Sequence, residues 1–79
     1  MRAIIQRVKH ARVTIDEKVK SSIRNGLLVF LGIEEADTKE DVEWLSAKIS
    51  NLRIFSDESG VMNLSVKEVN GDVLIVSQF

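Results

Sequence analysis

The sequence predicts a small α+β domain, and three observations predict it. Val42, Leu45, Ile49 and Leu52 recur at three- and four-residue spacing, the stripe of one amphipathic helix. Residues 27–33 and 73–76 are apolar without alternation, as in strands covered on both faces. Asn25-Gly26 and Asn70-Gly71 precede those two runs and are strong hairpin-turn signals.

Taken in order, residues 3–15 read as a strand with a fault. Ile4 and Val8 share one face, whereas Ala11, Val13 and Ile15 sit in the opposite phase. Side chains alternate with a period of two, so such a change of phase needs a bulge or sharp bend, placed near Lys9-His10. Asp16-Glu17-Lys18 is the turn into a second strand over residues 19–23. The central strand over 27–33 leads into the polar connection Glu34-Glu35-Ala36-Asp37. The helix then starts at Thr38, whose partner three residues on is Asp41, in the manner of a capping box. Asp37 with Glu40 is the alternative start. Glu40, Asp41 and Glu43 near the beginning, with Lys48 and Arg53 near the end, complement the helix dipole. Trp44 lies off the stripe and is expected to pack at the core boundary. Asp57-Glu58-Ser59-Gly60 reads as a turn between the short apolar stretches Ile54-Phe55 and residues 61–65. Residues 73–76 need strand neighbours on both sides, yet Phe79 follows almost at once, which reads as a sequence cut inside its core.

With 79 residues, 44% hydrophobic and 29% charged, the chain supports one globular domain near the lower size limit for a self-sufficient core. It has no cysteine, so disulfides, thiolate metal sites and cysteine nucleophiles are excluded, and a reducing cytoplasm fits. The charged N-terminus is unlike a secretory signal, and no apolar run approaches the ~20 residues needed to cross a bilayer.

Charge is uneven. Residues 1–24 carry seven basic side chains against two acidic ones, a net of +5, and residues 25–79 carry four against ten, a net of −6. The basic segment is either a solvated strand edge protected by lysines or a face for a phosphate backbone. One histidine, His10, leaves no Ser-His-Asp, Cys-His or zinc-ligand arrangement, and His10 itself reads as a surface or edge residue. Four glycines form neither a Walker loop nor a dinucleotide fingerprint.

Four strings occur in order: residues 3–8 (AIIQRV), 26–33 (GLLVFLGI) with the Asp37-Thr38 helix start, 48–57 (KISNLRIFSD) with 60–65 (GVMNLS), and 76–79 (VSQF). Together they run along the whole chain, and the chain resembles the D-aminoacyl-tRNA deacylase family. The resemblance implies a cytoplasmic homodimer with a strongly curved, barrel-like antiparallel sheet. Residues 1–79 would be the N-terminal half of its single domain. The implied activity is hydrolysis of the ester joining a D-amino acid, or glycine, to the terminal ribose of tRNA. It implies no cofactor or metal and no membrane. Ser77, Gln78 and Phe79 match the start of the family's Ser-Gln-Phe-Thr motif, where main-chain N–H groups stabilise an oxyanion and the RNA's own 2′-hydroxyl assists. Arg7 matches the arginine that holds the family's Gly-cisPro element, which excludes L-amino acids. Without the family pattern, Arg7, Ser77 and Gln78 read as ordinary polar strand positions. The threonine after Phe79 and the Gly-cisPro element lie outside these 79 residues, and Glu17 stands where the family commonly has glycine, a change a longer loop would absorb. Two rivals of the same ancestry are a non-catalytic product that dimerises or binds RNA and a paralogue with different substrate tolerance. A plain dimerisation module is the third.

Overall fold

The computed structural model describes the backbone of residues 1–78 and the side chains of residues 1–77. The elements run β1 (Arg2–Val8), β2 (Ala11–Ile15), β3 (Lys18–Ile23), β4 (Gly26–Gly32), α1 (Lys39–Asn51), β5 (Phe55–Ser56), β6 (Met62–Leu64) and β7 (Asp72–Gln78). The expected α+β class holds. An all-antiparallel, barrel-like sheet does not: among the described residues the main sheet is three-stranded, mixed and not closed into a barrel, in the order β1-β4-β7. β1 pairs antiparallel with β4, while β7 pairs parallel with it. The reason is the long connection from β4 through α1 to β7. Parallel neighbours need a crossover of a dozen or more residues, commonly a helix, and this connection supplies one.

The fault between β1 and β2 is a bend that moves the chain from one sheet to another. β1 belongs to the main sheet, whereas β2 and β3 form a separate two-stranded ribbon. A bulge does occur, but further on: Val13 pairs Ser21 and Thr14 pairs Val19, so Lys20 is the extra residue. The turn joining β2 to β3 keeps two residues, Asp16 and Glu17, with φ of 52° and 66°. The loop is therefore not lengthened to suit Glu17. The glutamate itself takes the left-handed conformation that a tight hairpin demands.

Neither Asn-Gly pair is a hairpin turn. β3 and β4 lie in different sheets, and Gly26 is the first residue of β4. A Cβ on Gly26 would run into the Asp72 carbonyl oxygen of β7, so glycine is required there by close backbone approach. Asn70-Gly71 closes a helical turn. The Gly71 N–H donates to the Val66 carbonyl at 2.9 Å and the Asn70 N–H to the Lys67 carbonyl at 3.2 Å, with Asn70 at φ 53°. This is the Schellman pattern, with asparagine in the left-handed position. Ser65 and Glu68 cap the start of the same turn reciprocally, through Ser65 N–H to Glu68 Oε1 and Glu68 N–H to Ser65 Oγ.

The α1 start is as expected. Thr38 is the N-cap, and both bonds of the capping box with Asp41 are present. Its apolar stripe is less covered than expected: Leu45, Ile49 and Leu52 are half-buried and Val42 is exposed. Trp44 is not boundary packing. It is 65% exposed, with the Lys48 ammonium 5.4 Å from its ring centre.

The core is built from Leu27 and Val29 of β4 with Phe55 and Val66, and Ala3, Ile5 and Ile49 pack against it. Ala3 and Ile5 of β1 thus face the core, and Ile4 on the opposite face is exposed. A groove of about 330 Å³ remains between α1 and the sheet, lined by Val29, Leu31, Val42, Leu45, Val73 and Ile75 among others. Among the described residues, no helix is long and apolar enough to cross a membrane.

Candidate functional site

Ser77 and Gln78 end β7. In the parallel register Ser77 sits beside Leu31 and Gln78 beside Gly32. Phe79 lies outside the described residues, as does the Gln78 side chain. The direction of the β7 main chain follows from one bond: the Asp72 N–H donates to the Asn25 carbonyl, on the β4 side, at 3.1 Å. Peptide groups of alternate residues in a strand face opposite sides, so Leu74, Val76 and Gln78 also face β4. Val73, Ile75 and Ser77 direct their N–H and C=O groups to the other edge. No strand pairs with that edge among the described residues. The Ser77 side chain is exposed.

This arrangement offers a main-chain donor on an open edge. A fixed N–H of that kind can meet the oxygen of an ester carbonyl and favour the charge that grows there on attack by a nucleophile.

Arg7 lies at the other end of the sheet. It pairs with Leu27, which pairs with Val73, four positions before Ser77. The separation is about 13 Å along the strands and two strand spacings, roughly 10 Å, across them. Within one chain, therefore, Arg7 and Ser77 are not brought together. Arg7 Nη1 instead donates to the Ile54 carbonyl at 2.7 Å, fastening the end of β1 to the segment leading into β5. Beside it lies a cleft of about 460 Å³ lined by Arg7, Lys9, Asn25, Phe55, Ser56 and Val69. His10 is exposed in the bend between β1 and β2.

The electrostatics at the Ser77 end come from Met1 and Asp37. The terminal ammonium donates to Asp37 Oδ1 at 2.8 Å, and Asp37 Oδ2 accepts from the Glu34 N–H at 2.7 Å. The Glu34 bond, then the ammonium, holds the Asp37 carboxyl below its usual range, while Asp37 raises the ammonium. Arg2 pairs with Gly32, so this ion pair lies just past the strand row that contains Gln78. Among the described residues, no three His, Asp or Glu side chains gather as a metal site.

Two features of this region were not legible as strings. The Ile54 carbonyl is a main-chain acceptor with no residue signature. The outward aim of the Ser77 N–H depends on which strand β7 joins.

Known proteins resemble the chain throughout. The family model described as D-Tyr-tRNA(Tyr) deacylase matches residues 4–79. A D-aminoacyl-tRNA deacylase of Parabacteroides distasonis is 62% identical over 79 residues, covering 100% of this chain and 53% of that protein. One of Thermotoga petrophila is 60% identical with the same coverage. A solved structure titled c-Myc DNA Unwinding Element Binding Protein superposes with a TM-score of 0.96 at 44% identity, covering 100% of this chain and 54% of that one. The chain spans about half the length of the curated relatives it matches. By the match over residues 4–79 and these identities, the chain belongs to the D-Tyr-tRNA(Tyr) deacylase family.

Proposed function

We propose that residues 1–79 form the N-terminal half of a D-aminoacyl-tRNA deacylase domain, a chiral proofreading hydrolase of translation. The substrate is the ester between a D-amino acid, or mischarged glycine, and the terminal ribose of tRNA. Water adds to the ester carbonyl, the carbonyl oxygen takes up negative charge, and the bond to the ribose oxygen breaks as that oxygen gains a proton. The observation that carries the reading is the outward Ser77 N–H, on the edge of β7 that no strand pairs with among the described residues, in a chain of this family. Ser77 supplies its outward main-chain N–H to the oxyanion, and the family motif that runs on through Gln78 and Phe79 supports assigning this end of β7 to the pocket.

Arg7 has a positioning role, holding the element that excludes L-amino acids. Its distance from Ser77 within one chain favours a site assembled from two copies, and the working form is a homodimer in the cytoplasm. The second reading is a non-catalytic member of the same family that dimerises or binds RNA; the exposed basic side chains of residues 1–24 are the observation that supports it.

One pair of variants tests the hydrolase reading. Ser77→Ala keeps the main-chain N–H, whereas Ser77→Pro removes it on the side of the strand where the ladder to β4 does not use it. With D-Tyr-tRNA as substrate, Ser77→Ala is expected to retain most activity and Ser77→Pro to lose about 10²–10³ in kcat. Equal loss in both would move the chemistry to the Ser77 hydroxyl. No release of D-tyrosine by the unsubstituted chain would leave the non-catalytic reading.

A further inference from the structure

The seven basic side chains of residues 1–24 are all exposed: Arg2, Arg7, Lys9, Arg12, Lys18, Lys20 and Arg24. Among the described residues the ion pairs are Met1–Asp37 and Lys39–Glu43, and none of the seven takes part. Five of them, Lys9, Arg12, Lys18, Lys20 and Arg24, lie on the β2–β3 ribbon or at its base. The ribbon stands outside the main sheet, and among the described residues β2 and β3 pair only with each other. Its bulge leaves Lys20 without a cross-strand partner and adds twist. Edge protection by lysine accounts for part of this charge. Asp16 and Glu17 in the ribbon's turn offset two of the five cations and, among the described residues, form an ion pair with none of them, leaving a net of +3 whose mutual repulsion a polyanion would relieve.

The opposite charge lies at the other end of β4. Glu34, Glu35, Asp37, Glu40, Asp41 and Glu43 follow Gly32, while the ribbon joins at Gly26. β4 therefore separates a basic pole from an acidic one by about 20 Å, at ~3.3 Å per residue.

We propose that the β2–β3 ribbon, through Lys9, Arg12, Lys18, Lys20 and Arg24, is a contact surface for the phosphate backbone of RNA. It deepens the reading of tRNA as the substrate and rests on it. Ser77 stands at the acidic pole, so within one chain the ribbon meets phosphates about 20 Å from the ester, away from the terminal nucleotide. The acidic start of α1 repels the backbone and so sets which way the RNA lies.

The test uses uncharged tRNA and the full 79-residue chain, with affinity followed by fluorescence anisotropy from 50 to 200 mM KCl. The expected plot of log K against log salt has a slope of about −2 or steeper, since each phosphate contact contributes roughly −0.7 to −0.9. The double variant Arg12→Gln/Lys20→Gln should flatten the slope by about one per residue and weaken binding at least about tenfold at 50 mM. Arg12→Lys/Lys20→Arg should restore it. Lys39→Gln/Lys48→Gln, an equal loss of charge on α1, should leave it unchanged. Unaltered urea midpoints exclude unfolding as the cause. No binding, a slope shallower than about −1, equal weakening by both Gln pairs, or binding only to phosphatidylserine vesicles would overturn the proposal. Uncharged tRNA has no ester, so failure of the hydrolase reading would not register here, and salt-dependent binding without hydrolysis would count against that reading alone.

Discussion

The Arg7 guanidinium donates to the Ile54 carbonyl at 2.7 Å, joining residues 47 positions apart in the chain. The bond holds the entry to β5 against β1, just before the buried Phe55. A hydrogen bond from a charged donor contributes more than a neutral one, but Arg7 is exposed and solvent competes. Arg7→Ala is expected to cost about 1 kcal/mol, seen as a lower urea midpoint with an unchanged m-value. Lys offers one ammonium instead of a planar fork and should recover only part. An unchanged midpoint in Arg7→Ala would remove this structural role.

Gly26 and Asp72 make the tightest strand approach found among the glycines. Gly26→Ala would drive its Cβ into the Asp72 carbonyl oxygen, so β4 and β7 must part. The change should cost about 3 kcal/mol or more, at the upper end for overpacking. Gly32→Ala is the control, because its Cβ would meet nothing nearer than the Arg2 carbonyl oxygen at 3.9 Å. Thermal melts of the two variants should therefore differ widely.

Glu17 holds φ at 66° in the two-residue turn between β2 and β3. A left-handed conformation costs a side-chain-bearing residue about 1–2 kcal/mol, and glycine avoids it at the expense of a more flexible unfolded chain. Glu17→Gly should stabilise by a net of about 0.5–1 kcal/mol. Asp16, at φ 52°, should gain less from the same change, because aspartate tolerates this region better. A melting temperature unchanged or lowered in Glu17→Gly would contradict the reading.

The pair formed by the Met1 ammonium and Asp37 predicts a pH window. Asp37 is held below its ordinary value of 3.8, so its contribution is present above that pH and is lost as acid protonates the folded carboxylate. The ammonium is raised above 8.0, so its contribution is full below pH 8 and fades as alkali titrates the folded amine. Stability attributable to the pair is thus greatest between about pH 4 and 8. Asp37→Asn should flatten the urea midpoint against pH at both ends, and a curve of unchanged shape would exclude the linkage.

Much of the local structure was legible in the sequence. The helix was found through Thr38, Asp41 and the stripe from Val42 to Leu52, and β4 through its unbroken apolar run. These signals depend on neighbours a few residues apart. Asn-Gly was misleading because its meaning is not local. Asn70 meets its requirement for a left-handed residue by ending a helical turn, and Gly26 is selected by a backbone 46 positions away. The candidate site was legible only as a string resemblance, since nothing in Ser77-Gln78 announces which edge its amides face.

The sequence by itself determined α1 and its capped start, β4, the α+β class, the polarity of charge and the family, because each rests on short-range pattern or on collinear strings. Tertiary structure alone decided that β7 lies parallel to β4, that Arg7 stands far from Ser77 within one chain, and that the Ser77 N–H faces the side of β7 that pairs with no strand among the described residues. The physical reason is that strand pairing is a contest among long-range partners. Its outcome depends on the path the chain takes through α1 and on how closely Gly26 lets Asp72 approach, and no short window of residues contains either.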